Sequence, residues 1–88
     1  MFDSKGNWTP ESANPIIDRK IRAVRELRKE DITVEDLRII LGYFTKDPIL
    51  NDRGLIGRGL ILATRIGNRY DIDAESVVKY LKTLTSNI

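Results

Sequence analysis

The chain has 88 residues, with fifteen basic against thirteen acidic side chains for a net charge of +2, and it contains neither cysteine nor histidine. Those absences exclude a disulfide framework and a thiolate metal site, and they remove the usual general base. The length allows one domain that buries roughly 60–65% of its unfolded surface, so oligomerisation would help it.

The charge is too small to mark a general nucleic-acid coat. Nine of the fifteen basic residues are Arg, which favours planar, bidentate contact with phosphate or carboxylate. The longest apolar run, residues 60–63, is far too short to cross a bilayer. The opening MFDSKGNW lacks the basic-then-apolar order of a signal peptide. The expectation is a soluble, cytoplasmic protein.

Residues 1–14 read as an irregular arm, with Phe2 and Trp8 among Gly, Asn, Ser and Pro and no period running through it. Trp8, the one tryptophan, either folds back over the hydrophobic face or serves as a stacking platform for a partner. The domain proper is residues 15–88. Its first helix starts at Asn14 as cap and Pro15 as first residue, with Asp18 in the first turn. Ile16, Ile17, Ile21, Ala23, Val24 and Leu27 gather on one side of it. Arg22, Arg25 and Lys29 gather on the other, with Arg19 nearby. A capping-box variant at Thr33 and Asp36 predicts a second helix to about Thr45, burying Val34, Leu37, Ile40, Leu41 and Phe44. Ile39 and Tyr43 lie outside that stripe as a candidate subunit contact.

Residues 51–68, NDRGLIGRGLILATRIGN, are apolar on most sides at helical spacing, which predicts a buried central helix. On that helix Arg58, Arg65 and Arg69 would fall within roughly 40° of one another. Gly57, Ile61, Thr64 and Asn68 would form a small-residue face for close subunit approach. Asn68 would end the helix. Asp73 caps a fourth helix carrying Ala74, Val77, Val78, Tyr80, Leu81 and Leu84, and the tail TSNI would fray. A shift of forty residues lays Ile21, Ala23, Arg25, Asp31, Ile32, Glu35 and Leu41 on Ile61, Ala63, Arg65, Asp71, Ile72, Glu75 and Leu81. The expected fold is therefore all-α: a four-helix domain of two αα-hairpins, with Ile32 and Ile72 as staples.

No nucleophile–base pair, acidic dyad or calcium loop can be assembled from these residues. The GLIGRG segment lacks the strand and glycine spacing of a dinucleotide site. Neither an enzyme nor a cofactor is expected. Three classes remain: a binder of a compact phosphate ligand held by arginine forks and an arm aromatic, a protein-binding inhibitor or adaptor, and, ranked last, a nucleic-acid binder.

The order Trp8-Thr9-Pro10, then Pro15, then Ile21-Arg22 in a helix resembles the Acb2 family of small phage proteins. These sequester cyclic oligonucleotide signals of the CBASS bacterial defence. The segment from Leu62-Ala63 to Asn68-Arg69 is similar to that family's later helix. The resemblance implies that Trp8 stacks on a base and Arg22 contacts phosphate, with pockets between subunits of a homo-oligomer. The aromatic is Trp where Tyr is expected, and residues 73–88 have no counterpart in the family. The expected ligand set is Trp8, Pro10, Arg19, Arg22, Arg25, Arg65 and Arg69, with Ile39, Tyr43, Gly57 and Ile61 at the subunit interface and no metal.

Overall fold

The computed structural model describes residues 1–85. Its elements are α1 (Pro15–Glu26), β1 (Asp31–Ile32), α2 (Val34–Leu41), α3 (Asp47–Leu50), β2 (Ala63–Ile66), β3 (Arg69–Asp73) and α4 (Ala74–Thr85). The three strands form one antiparallel sheet in the order β1-β3-β2. The fold is mixed helix and sheet, which overturns the all-α helical bundle and its two αα-hairpins.

Each long helix starts where a local signal places it. The Asn14 side chain accepts from the amides of Ile16 and Ile17, with Pro15 behind it. Thr33 and Asp36 close a reciprocal capping box before α2, and the Asp73 carboxylate accepts from Ser76 N–H in the first turn of α4. These contacts satisfy amides that a helix start leaves without partners. The helix α2 stops at Leu41, earlier than expected, because Gly42 adopts the left-handed conformation at φ +77° that ends many helices. Phe44, expected in the core, consequently stands 98% exposed in the following turn. Ile16 also points out to solvent.

The expected central helix is absent. Residues 51–62 run through successive turns after the four-residue α3, and residues 63–66 form β2. Three glycines within six residues, Gly54, Gly57 and Gly59, explain this. Each weakens a helix by about 1 kcal/mol relative to Ala, and the backbone folds back tightly on itself at two of them. A Cβ on Gly54 would collide with the Pro48 carbonyl, and one on Gly57 with the Asp52 carbonyl. The pattern looked apolar on all sides because its residues serve different places. Leu55 and Ile61 enter the core, while Leu60 and Leu62 face solvent. Gly54→Ala is expected to destabilise the domain by roughly 1–3 kcal/mol, the range of backbone-strain substitutions; urea unfolding followed by circular dichroism measures it.

The Gly67-Asn68 pair, expected at the end of that helix, instead connects β2 to β3. Gly67 has φ +61° and Asn68 does not share the positive φ, the pattern of a two-residue hairpin with Gly at its first central position. The forty-residue repeat fails in its first half, where α1 corresponds to turns and β2. Arg25 and Arg65 are therefore not equivalent. In its second half, Ile32 and Ile72 are direct partners across β1 and β3. Both are buried as strand neighbours rather than as helix staples.

The core joins Ile17, Ile21 and Val24 of α1 to Leu37 and Leu41 of α2, and to Val77, Val78 and Leu81 of α4. Full burial of such a side chain contributes about 1.5–3 kcal/mol. Ser76, also buried, replaces a ladder bond: its hydroxyl accepts from Leu62 N–H at 2.9 Å and donates to the Asp73 carbonyl at 2.7 Å. No helix among the described residues is long and apolar enough to cross a membrane. Of the tail TSNI, residues 86–88 lie outside the described part.

Candidate functional site

The expected ligand residues separate into three places. The arm folds onto α1. Asp18 holds it there, accepting the Trp8 indole N–H at 2.9 Å and the amides of Glu11 and Ser12 at 2.7 and 3.2 Å. The Trp8 hydrogen bond, then the two amides, hold the Asp18 carboxyl below its ordinary value against the opposing effect of burial. Trp8 packs against the core and meets Phe2 edge-to-face at 5.1 Å. The Arg22 guanidinium sits 5.9 Å from the Trp8 ring centroid and 6.0 Å from that of Phe2, within cation–π range, and also bridges to Glu26 at 3.0 Å. Trp8 and Arg22 are thus brought together. Pro10 and Arg19 are exposed, and Arg19 has no ion pair among the described residues.

Arg25 belongs to a charge cluster that ties arm, α1 and α4 together. It grips Glu11 with two bonds of 2.9 Å and Glu75 with bonds of 2.5 and 3.1 Å. The N-terminal ammonium and Lys82 reach the same Glu11 at 3.1 and 3.3 Å. The Arg25 hydrogen bonds, opposed by burial, bring the Glu11 carboxyl down to about 2. With two carboxylates on its guanidinium, Arg25 is a structural clamp and has little capacity left for a ligand.

Arg65 and Arg69 are on the hairpin, not on a helix with Arg58. Arg65 donates to the Gly67 carbonyl at 3.2 Å and lies 5.9 Å from the Tyr70 ring centroid. Arg69 makes one long, exposed contact with Asp71 at 3.5 Å. The expected subunit contacts differ in exposure. Ile61 is buried in its own core, Tyr43 is half-buried, and Ile39 and Gly57 are exposed.

A further group of exposed cations surrounds α3, where Lys46 makes a long contact with Glu35 at 3.7 Å. Arg53 and Arg58 are exposed and pair with no carboxylate among the described residues. They line a cleft of about 560 Å³ with Asn51, Asp47, Tyr43 and Tyr80. Burial, with the Tyr80 hydroxyl as the lesser cause, raises the Tyr43 phenol above its ordinary value. On the other side of α3, Lys46 and Leu50 share a groove of about 350 Å³ with Asn68, Arg69 and Tyr70 of the hairpin. The turn before α3 is held by Arg38, which donates to the Tyr43 carbonyl at 3.0 Å while pairing with Glu35. Phe44 projects from that turn.

Segment 42–70 therefore carries Lys46, Arg53, Arg58, Arg65 and Arg69 against only Asp47 and Asp52, a local charge of +3, while the rest of the chain sums to −1. Lys46, Arg53 and Phe44 were not among the expected site residues. The excess of cations over Asp47 and Asp52 in this segment is readable in the sequence, beside a larger one of +4 in residues 15–29. No family model, curated protein or solved structure matches this chain.

Proposed function

We propose that the chain is a non-catalytic nucleic-acid-binding module that docks on duplex DNA through the α2–α3 turn, α3 and the β2–β3 hairpin. The observation that carries this reading is the exposure of Arg53 and Arg58, which pair with no carboxylate among the described residues, in a segment of net charge +3 whose Lys46 and Arg69 make only long contacts with Glu35 and Asp71, at 3.7 and 3.5 Å. The helix α3 is a single turn of four residues, too short to read base edges as a recognition helix, so the contacts proposed are with phosphates, made by Arg53 and Arg58 on the turns that follow it. The cations lie on both sides of α3 and out along the hairpin. Such a spread suits phosphates strung along a backbone better than one compact ligand.

Anisotropy of a labelled duplex at several salt concentrations tests the reading. Up to five neutralised phosphates predict a log–log slope as steep as about −4.5, at about 0.9 per contact. Absence of binding at low salt would refute it. A second reading, sequestration of a cyclic oligonucleotide, draws on the approach of Arg22 to Trp8. It predicts calorimetric heat with cyclic di- or trinucleotides that Trp8→Ala abolishes.

A further inference from the structure

We propose that the free edge of β2 is a self-association surface, on which a second copy of this chain adds its own β2 antiparallel to make a continuous six-stranded sheet. The sheet order leaves β2 paired on one side only. The Asp73 amide donates to the Leu62 carbonyl at 2.8 Å, and the register continues as Ala63↔Ile72, Thr64↔Asp71, Arg65↔Tyr70 and Ile66↔Arg69. Antiparallel ladders alternate bonded and non-bonded pairs. The residues bonded to β3 are therefore Leu62, Thr64 and Ile66, while the N–H and C=O groups of Ala63 and Arg65 point to the open edge.

That edge matches itself. In an antiparallel pairing centred on Thr64, Ala63 and Arg65 of one copy exchange main-chain bonds with Arg65 and Ala63 of the other. On the face away from the core, Leu62 then sits opposite Ile66 of the second copy, Thr64 opposite Thr64, and Ile66 opposite Leu62. Apolar and Thr–Thr cross-strand pairs stabilise sheets, and like charges directly opposite destabilise them. No like charges meet here, because Arg65 faces Ala63. Leu62 and Ile66 are 64% and 48% exposed in the single chain, and the edge carries neither proline nor an opposed lysine, the devices that normally blunt such strands. A second copy is favoured over an unrelated peptide because the same five residues, 62–66, supply both sides of an apolar, Thr–Thr, apolar row in which no like charges are directly opposed.

Sedimentation equilibrium of the full chain tests this, with Thr64→Lys and Arg65→Pro as variants. Thr64→Lys sets two ammonium groups opposite each other. Arg65→Pro removes an edge-facing N–H while leaving the bonds to β3 in place, a position where proline is tolerated. The expected result is twice the chain mass for the wild type and the single-chain mass for both variants, with unchanged far-ultraviolet circular dichroism. A wild type that is monomeric throughout, or a dimer that keeps its mass in both folded variants, would overturn the proposal.

Discussion

Arg25→Ala is expected to cost about 3 kcal/mol of stability, a large share of what an 88-residue domain has. The substitution removes a clamp whose two carboxylates come from the arm and from α4, fourteen and fifty residues away. It leaves Glu11, whose side chain is only 11% exposed, with the N-terminal ammonium and Lys82 alone. The same cluster sets the acid response. Glu11 titrates near 2 in the fold against an ordinary 4.5, so its contribution is complete above about pH 4.5. It fades as the pH falls through that window and is gone below about 2. The difference corresponds to up to roughly 3 kcal/mol. Glu75 and Asp18 are lowered in the same direction, by the Arg25 and Trp8 hydrogen bonds respectively, and add to the loss. Urea unfolding between pH 2 and 6 should show the decline in the wild type and a shallower one in Glu11→Gln. Equal pH slopes in the two proteins would mean that the clamp does not govern acid stability.

Arg53→Ala with Arg58→Ala is expected to weaken duplex binding on the order of 50-fold near 0.1 M salt and to flatten the salt slope by about 2, since each lost phosphate contact removes about 0.9. Both side chains are exposed and without ion pairs among the described residues. The fold should therefore tolerate the change within about 0.5 kcal/mol. The comparison with Arg25→Ala is diagnostic. One protein should lose stability and keep its salt slope wherever it remains folded, and the other should do the reverse. Anisotropy titrations at four salt concentrations, together with thermal melts, separate the two effects. An unchanged slope in the double variant would remove these arginines from the interface.

What could be read in the sequence was local. Asn14-Pro15, Thr33 with Asp36, and Asp73 each satisfy amides within three residues of themselves, and each starts a helix where expected. The hairpin has a sequence signal too, but the helical reading of residues 51–68 overrode it. Gly67-Asn68 joins Ala63–Ile66 to the alternating Tyr70-Asp71-Ile72-Asp73, and a Gly-Asn pair between such runs is a turn signal. It was hidden because the aliphatics before it matched a helical period, although Gly54, Gly57 and Gly59 argued against one. The contacts that decide the site are of another kind. Trp8 is bound by Asp18 ten residues on, and Arg25 by Glu75 fifty residues on. Neither pairing leaves a trace in periodicity or spacing, so Trp8 and Arg25 both read as available for a ligand. That Arg53 and Arg58 line one cleft beside α3 follows from the turns around them, which no helical period describes.

The most direct test of the proposed interface is an amide-resolved nuclear magnetic resonance titration of the isotopically labelled chain with a short DNA duplex. The expected perturbations cluster at residues 43–58 and at the hairpin tip, residues 65–69, and recede as salt is raised. Shifts confined to Trp8, Arg22 and the neighbouring arm, or none at all, would contradict a duplex-binding face built on α3.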